Sequence, residues 1–97
     1  MNTALPEMLE AMRQDAAKRA GVPLAEVQAA APQSVTWPDG SLGCPEPGRL
    51  YTQALVPGWK VTVKAGAQTL DYHASLRGGW RHCPKGQGQR PVPDTRS

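Results

Sequence analysis

Between Trp37 and Gly48 the chain reads Trp37-Pro38-Asp39-Gly40-Ser41-Leu42-Gly43-Cys44-Pro45-Glu46-Pro47-Gly48, and no regular helix or strand fits that spacing of prolines and glycines. Pro38, Pro45 and Pro47 each fix a backbone angle and remove a donor. Gly40, Gly43 and Gly48 can take positive angles that other residues resist. The stretch is expected to be an ordered loop shaped around one thiol, Cys44. Loops held in one shape on a rigid scaffold are where small proteins usually carry binding chemistry. Trp37, Asp39, Ser41, Leu42 and Glu46, with Tyr51 and Gln53 just beyond, are therefore the candidate binding residues.

The flanking sequence supplies the scaffold. Leu5, Met8, Leu9, Met12, Ala16 and Ala20 recur at helical spacing, which predicts one amphipathic helix. Thr3 or Pro6 can open it, Lys18 and Arg19 suit its negative end, and Gly21 can close it. Val22–Glu26 predicts a short helical turn, and residues 27 to 37 an irregular edge strand, since Pro32 is tolerated at an edge. Trp59, Val61 and Val63 alternate with Lys60, Thr62 and Lys64, and Leu70, Tyr72 and Ala74 alternate in the same manner. A two-residue turn at Gly66-Ala67 pairs Val63 with Leu70, Val61 with Tyr72 and Trp59 with Ala74, and sets Lys60 beside a solvated His73 on the opposite side. Trp80–Cys83 predicts a third strand. The expected class is α+β: an N-terminal helix on a small antiparallel sheet, a three-strand meander plus an irregular edge strand, with a long ordered loop.

The 97 residues bound one domain. Residues 84 to 97 contain three prolines, two glycines and no aromatic residue, and are expected to be a disordered tail on a domain spanning 1 to 83. The tail holds Lys85, Arg90 and Arg96 against Asp94, so it accounts for +2 of the net charge of +3. The nearly neutral remainder offers only Lys60 and Lys64 on one strand face, which argues against nucleic-acid binding. The N-terminal residues lack a basic segment followed by an apolar run, so the chain as written is expected to be cytoplasmic and without a membrane span.

The order Trp37 to Gly48, Tyr51-Thr52-Gln53, Pro57-Gly58-Trp59 and Tyr72-His73 resembles a family of small uncharacterised bacterial proteins and domains, many exported or lipid-anchored. The likeness covers roughly residues 22 to 83, and members typically end in a cysteine after a glycine turn, as Cys83 does. It implies an exported or periplasmic setting as the alternative compartment and carries no established activity. This chain departs from the pattern in lacking an export signal, in its alanines where relatives have a more β-branched strand, and in its basic tail. Cys44 and Cys83 then have three readings. In an oxidising compartment, the setting that the resemblance implies, they form a disulfide. In a reducing one they stay thiols. With His73 and His82 they supply zinc ligand types, but His82 and Cys83 are adjacent on a strand and point to opposite faces, so no metal is expected.

Catalysis has little support. There is no GxSxG elbow, phosphate-cradling glycine motif or HExxH, and Asp39 and Glu46 are more simply turn-stabilising groups than an acid–base pair. No enzyme activity and no cofactor are expected. The chain reads as a small binding module that presents the stiff Trp37 to Gly48 loop and the adjoining Leu50 to Gly58 segment to a protein partner, with a protease-inhibitor-like role or a purely structural loop as alternatives. If the loop is structural, Leu42 is buried. If it recognises a partner, side chains among Asp39, Ser41, Leu42 and Glu46 are displayed.

Overall fold

The computed structural model describes residues 5–84, so Thr3 and the expected tail beyond Pro84 lie outside the described residues. Helix α1 spans Leu5–Ala20 and buries Met8, Met12 and Ala16, one residue per turn on one stripe. Glu7 in its first turn and Lys18 and Arg19 in its last match the helix dipole. Gly21 takes φ +69, and the Val22 N–H donates to the Ala17 carbonyl at 3.0 Å. That pairing of a left-handed glycine with a bond reaching back five residues is a Schellman stop. A short 3-10 turn, Leu24–Glu26, follows.

Among the described residues five strands make one antiparallel sheet: β1 (Val27–Ala29), β2 (Gln33–Trp37), β3 (Val56–Ala65), β4 (Gln68–Ser75) and β5 (Trp80–Cys83). The order is β1-β3-β4-β5, with β2 also paired to β3. The β3–β4 register is the one that the alternation requires, with Val63 opposite Leu70, Val61 opposite Tyr72 and Trp59 opposite Ala74. Gly66 opens the turn at φ +60, a value that leucine or valine would adopt only at a cost.

The expected irregular edge strand is two strands, and the break between them has a consequence for the other face. Ala29 pairs with Val63, whereas Gln33 pairs with Lys60. Four steps along one strand thus meet three along the other, which is a bulge centred near Pro32. One extra residue reverses the side-chain parity. Val27 and Ala29 belong to the core beneath α1, but Val35 and Trp37 face the opposite side of the sheet.

The core under α1 joins Met8, Met12 and Ala16 to Val27, Val61, Val63, Ala65, Tyr72 and Ala74. Trp59, Leu70 and Leu9 are partly buried at its margin, while Met8 goes deeper than Leu9. The Tyr72 hydroxyl donates to Asp15 at 2.6 Å, and Arg19 donates to the same carboxylate at 2.6 Å. Burial pushes the Asp15 carboxyl up, but these two donors outweigh it and hold it below the ordinary 3.8. Burial and the Asp15 bond push the Tyr72 hydroxyl well above the usual phenol range. This cluster fastens helix to sheet across 57 residues of sequence.

Candidate functional site

The sheet face away from α1 is covered by the loop that begins at Trp37. Trp37 is the last residue of β2 and is fully buried. Its indole stacks on His73 with ring centroids 4.2 Å apart and planes inclined by 20°, and its Nε1–H donates to the Ala74 carbonyl at 3.0 Å. The same carbonyl comes close to β3 at Gly58, where a Cβ would sit 1.9 Å from the Ala74 oxygen.

From Trp37 the chain folds back on itself through local polar bonds. The Asp39 carboxylate accepts the Ser41 backbone N–H at 2.9 Å and also the Ser41 hydroxyl, the side-chain turn that aspartate commonly forms. Leu42 adopts φ +58 and Gly43 φ +70. The left-handed angle costs a leucine roughly 1–2 kcal/mol, and two contacts offset it. Leu42 is 8 % exposed, and its carbonyl lies 2.6 Å from His73 Nδ1. A carbonyl only accepts, so Nδ1 carries the proton. Burial holds the His73 pKa below 6.5; the Leu42 bond works against that shift and the Lys60 charge adds to it. His73 is thus a neutral, buried imidazole.

Cys44 closes this inner half. It is bonded to Cys83 of β5, with α-carbons 5.7 Å apart, and its carbonyl accepts from Arg81 at 3.1 Å. Among the described residues no three His, Cys, Asp or Glu side chains converge to hold a metal ion. His82 lies on the far face, against the Tyr72 ring, half-buried at the edge.

Beyond Cys44 the loop changes character. Glu46, Arg49, Leu50, Gln53 and Leu55 are exposed, yet the segment is tied down. Gly48 at φ +80 turns the chain, and the Arg49 N–H donates to the Glu46 carbonyl at 3.2 Å. The Glu46 N–H donates to the Tyr51 hydroxyl at 3.0 Å, and the Gly40 N–H to the Thr52 carbonyl at 2.9 Å. The Glu46 carboxylate lies 3.2 Å from Arg49 and 3.9 Å from Arg81. Both guanidiniums stand over the Tyr51 ring, at 5.8 and 5.7 Å. Leu50 is 98 % exposed at the middle of this fastened stretch and Leu55 62 %. An open groove of about 1060 Å³ runs beside it, lined by Leu42, Thr52, Leu55, Val56, Leu76 and Arg77 among others.

The expected site residues therefore divide. Trp37, Ser41 and Leu42 are buried and Asp39 is half-buried. Glu46 and Gln53 are exposed, and half-buried Tyr51 serves as an anchor. His73, expected to be solvated beside Lys60, is 2 % exposed, because the loop rather than water covers that face. Leu50 and Leu55 were included only as part of the segment from Leu50 to Gly58, and Arg49 and Arg81 were not singled out from the sequence. Leu50 and Leu55 were detectable as apolar residues belonging to no periodic run; the arginines gave no signal apart from their contacts.

Among the described residues no helix is long and apolar enough to cross a membrane. No curated protein and no solved structure matches the chain. A family described as "Domain of unknown function (DUF8738)" matches residues 9–83, a span that takes in most of α1, the whole sheet and both cysteines. The chain belongs to that family of domains of unknown function.

Proposed function

We propose that the protein is a non-enzymatic binding module whose recognition surface is the outer part of the loop, residues 46 to 55, presented to a protein partner. The observation that carries this reading is Leu50, 98 % exposed on a segment held on either side by bonds from Gly40, Glu46 and Arg49. An apolar side chain in water gains roughly 1.5–3 kcal/mol when a partner covers it. A segment already held in shape loses less entropy on docking than a free one. Trp37, Ser41, Leu42 and Cys44 act in this reading as the platform and not as contacts.

The test is a photoreactive side chain placed at position 50, with a control at exposed Gln68 at the far end of the β3–β4 hairpin. In extracts of the source cells, position 50 should give a discrete crosslinked protein that position 68 does not. Identical patterns from the two positions would remove the reading.

A further inference from the structure

Three observations on the outer loop identify the kind of partner. Leu50 is the most exposed of the large apolar side chains among the described residues, at 98 %. From Arg49 to Gln53 the chain has neither turn nor bend nor sheet partner, and the backbone groups of Leu50 and Tyr51 make no hydrogen bond among the described residues. A single apolar side chain projecting from an unpaired stretch of backbone with neither turn nor bend fits a cleft that binds extended chain and has one apolar pocket. Peptide-cleaving enzymes have such clefts.

The third observation concerns what would follow an attack on the loop. The Leu50–Tyr51 peptide bond lies between Cys44 and Cys83, so their disulfide spans it. Each side of the bond is also fastened separately. Arg49 is tied to Glu46 on one side. On the other, the Tyr51 hydroxyl accepts from the Glu46 N–H, the Tyr51 ring lies near Arg81, and Thr52 is bonded to Gly40. A chain cut here would stay in one covalent piece with both new ends held close together.

We infer that residues 46 to 55 form a substrate-like inhibitory loop for serine endopeptidases with an apolar primary pocket, with Leu50 filling that pocket. This rests on the recognition reading above and names its partner class. The enzyme's serine Oγ adds to the Leu50 carbonyl, the Leu50–Tyr51 C–N bond breaks, and the serine proton passes through the enzyme's base to the Tyr51 amine. An ester now joins Leu50 to the enzyme. In an ordinary substrate the amine diffuses away and water completes hydrolysis. Here the Tyr51 amine remains beside the ester at high effective concentration and attacks it in turn, restoring the peptide bond and returning the proton. Enzyme and loop stay bound, and net cleavage is slow.

The experiment titrates the oxidised full chain against chymotrypsin and subtilisin, which accept apolar side chains, and trypsin, which does not. Inhibition of at least one of the first two is expected, and Leu50→Asp should weaken it by about 100-fold, the loss typical of a buried interface anchor. Leu50→Lys should move inhibition to trypsin. Replacing both cysteines by alanine should turn inhibitor into substrate; if that variant does not fold, Tyr51→Phe, which removes the acceptor for the Glu46 N–H, should raise the rate of cutting between residues 50 and 51. Failure to inhibit either apolar-pocket enzyme, complete and rapid cutting of the wild-type loop, or inhibition indifferent to Leu50→Asp would each overturn the inference. A non-protease partner crosslinked at position 50 would overturn it too while leaving the recognition reading in place, whereas the absence of any crosslink specific to position 50 removes both.

Discussion

Gly58→Ala is the smallest substitution that tests how the loop is seated on the sheet. The added Cβ would lie 1.9 Å from the Ala74 oxygen and 2.9 Å from both the Ala74 carbon and the Ser75 α-carbon. Ordinary contact begins near 3.4 Å, so β3 and β4 would have to separate by about 1.5 Å locally, more than a ladder bond near 2.9 Å tolerates. All three clashing atoms are backbone, so no side-chain rotation relieves them. Two ladder bonds at about 1 kcal/mol each, with about 1–3 kcal/mol for a buried indole N–H deprived of Ala74, give a loss of about 3–5 kcal/mol. A chain of this size has roughly 5–10 kcal/mol in total, so the midpoint of urea unfolding, followed by tryptophan fluorescence, should fall sharply. Gly79→Ala is the control, because the nearest atom to its added Cβ is the Ser75 hydroxyl oxygen at 3.7 Å. A Gly58→Ala protein within about 1 kcal/mol of wild type would refute the close approach of the strands and the seating of Trp37 that depends on it.

Removing the disulfide by the double change Cys44→Ala and Cys83→Ala frees a sequence separation of 39 residues, for which loop-closure entropy gives a loss of about 4 kcal/mol; urea titration with and without reductant measures it. Stability should also fall on acidification: burial depresses the folded-state pKa of His73 below 6.5, so its contribution is complete above about pH 6.5 and is lost as pH drops from there towards the folded value, with a slope of at most about 1.4 kcal/mol per pH unit. His73→Asn should flatten that slope in part, leaving the share of His82, whose pKa burial also lowers. Val61→Ala in the fully buried position under α1 should cost about 1–3 kcal/mol, seen as a lower melting temperature; an unchanged one would contradict the packing.

The helix and the β3–β4–β5 meander were legible because each is specified by contacts close in sequence. Pairing Val63 with Leu70 needs only the alternation and the Gly66 turn, and the stop at Gly21 needs only one residue's tolerance of positive φ. The second face was not legible, because it is made by contacts 31 and 37 residues apart, His73 with Leu42 and Trp37 with Ala74. Alternation says that His73 lies opposite Tyr72; it does not say whether water or a loop lies there. Nor could Trp37 be assigned a face, since one residue gained near Pro32 reverses the parity of everything after it. The loop's irregularity was evident from its prolines and glycines, but which half would be buried depended on that same reversal.

The two faces of the sheet are closed by different kinds of contact, and the difference explains why Leu50 can remain outside. Beneath α1 a continuous apolar cluster excludes water. On the other face Trp37 and Leu42 are the large apolar side chains that are buried, and the rest of the work is done by directional groups: Asp39 on Ser41, Leu42 on His73, Arg81 on Cys44, and the disulfide. Apolar burial favours proximity, whereas directed bonds fix orientation. The chain after Cys44 therefore has a defined direction although it buries little. Leu50 stands 98 % exposed and Leu55 62 % exposed outside this layer, Leu55 at the edge of the open groove. Replacing Leu50 by aspartate should accordingly leave thermal and urea stability within about 0.5 kcal/mol of wild type, and a greater loss would mean that Leu50 packs against the body of the protein. With stability unchanged, any binding lost on that substitution reports recognition alone.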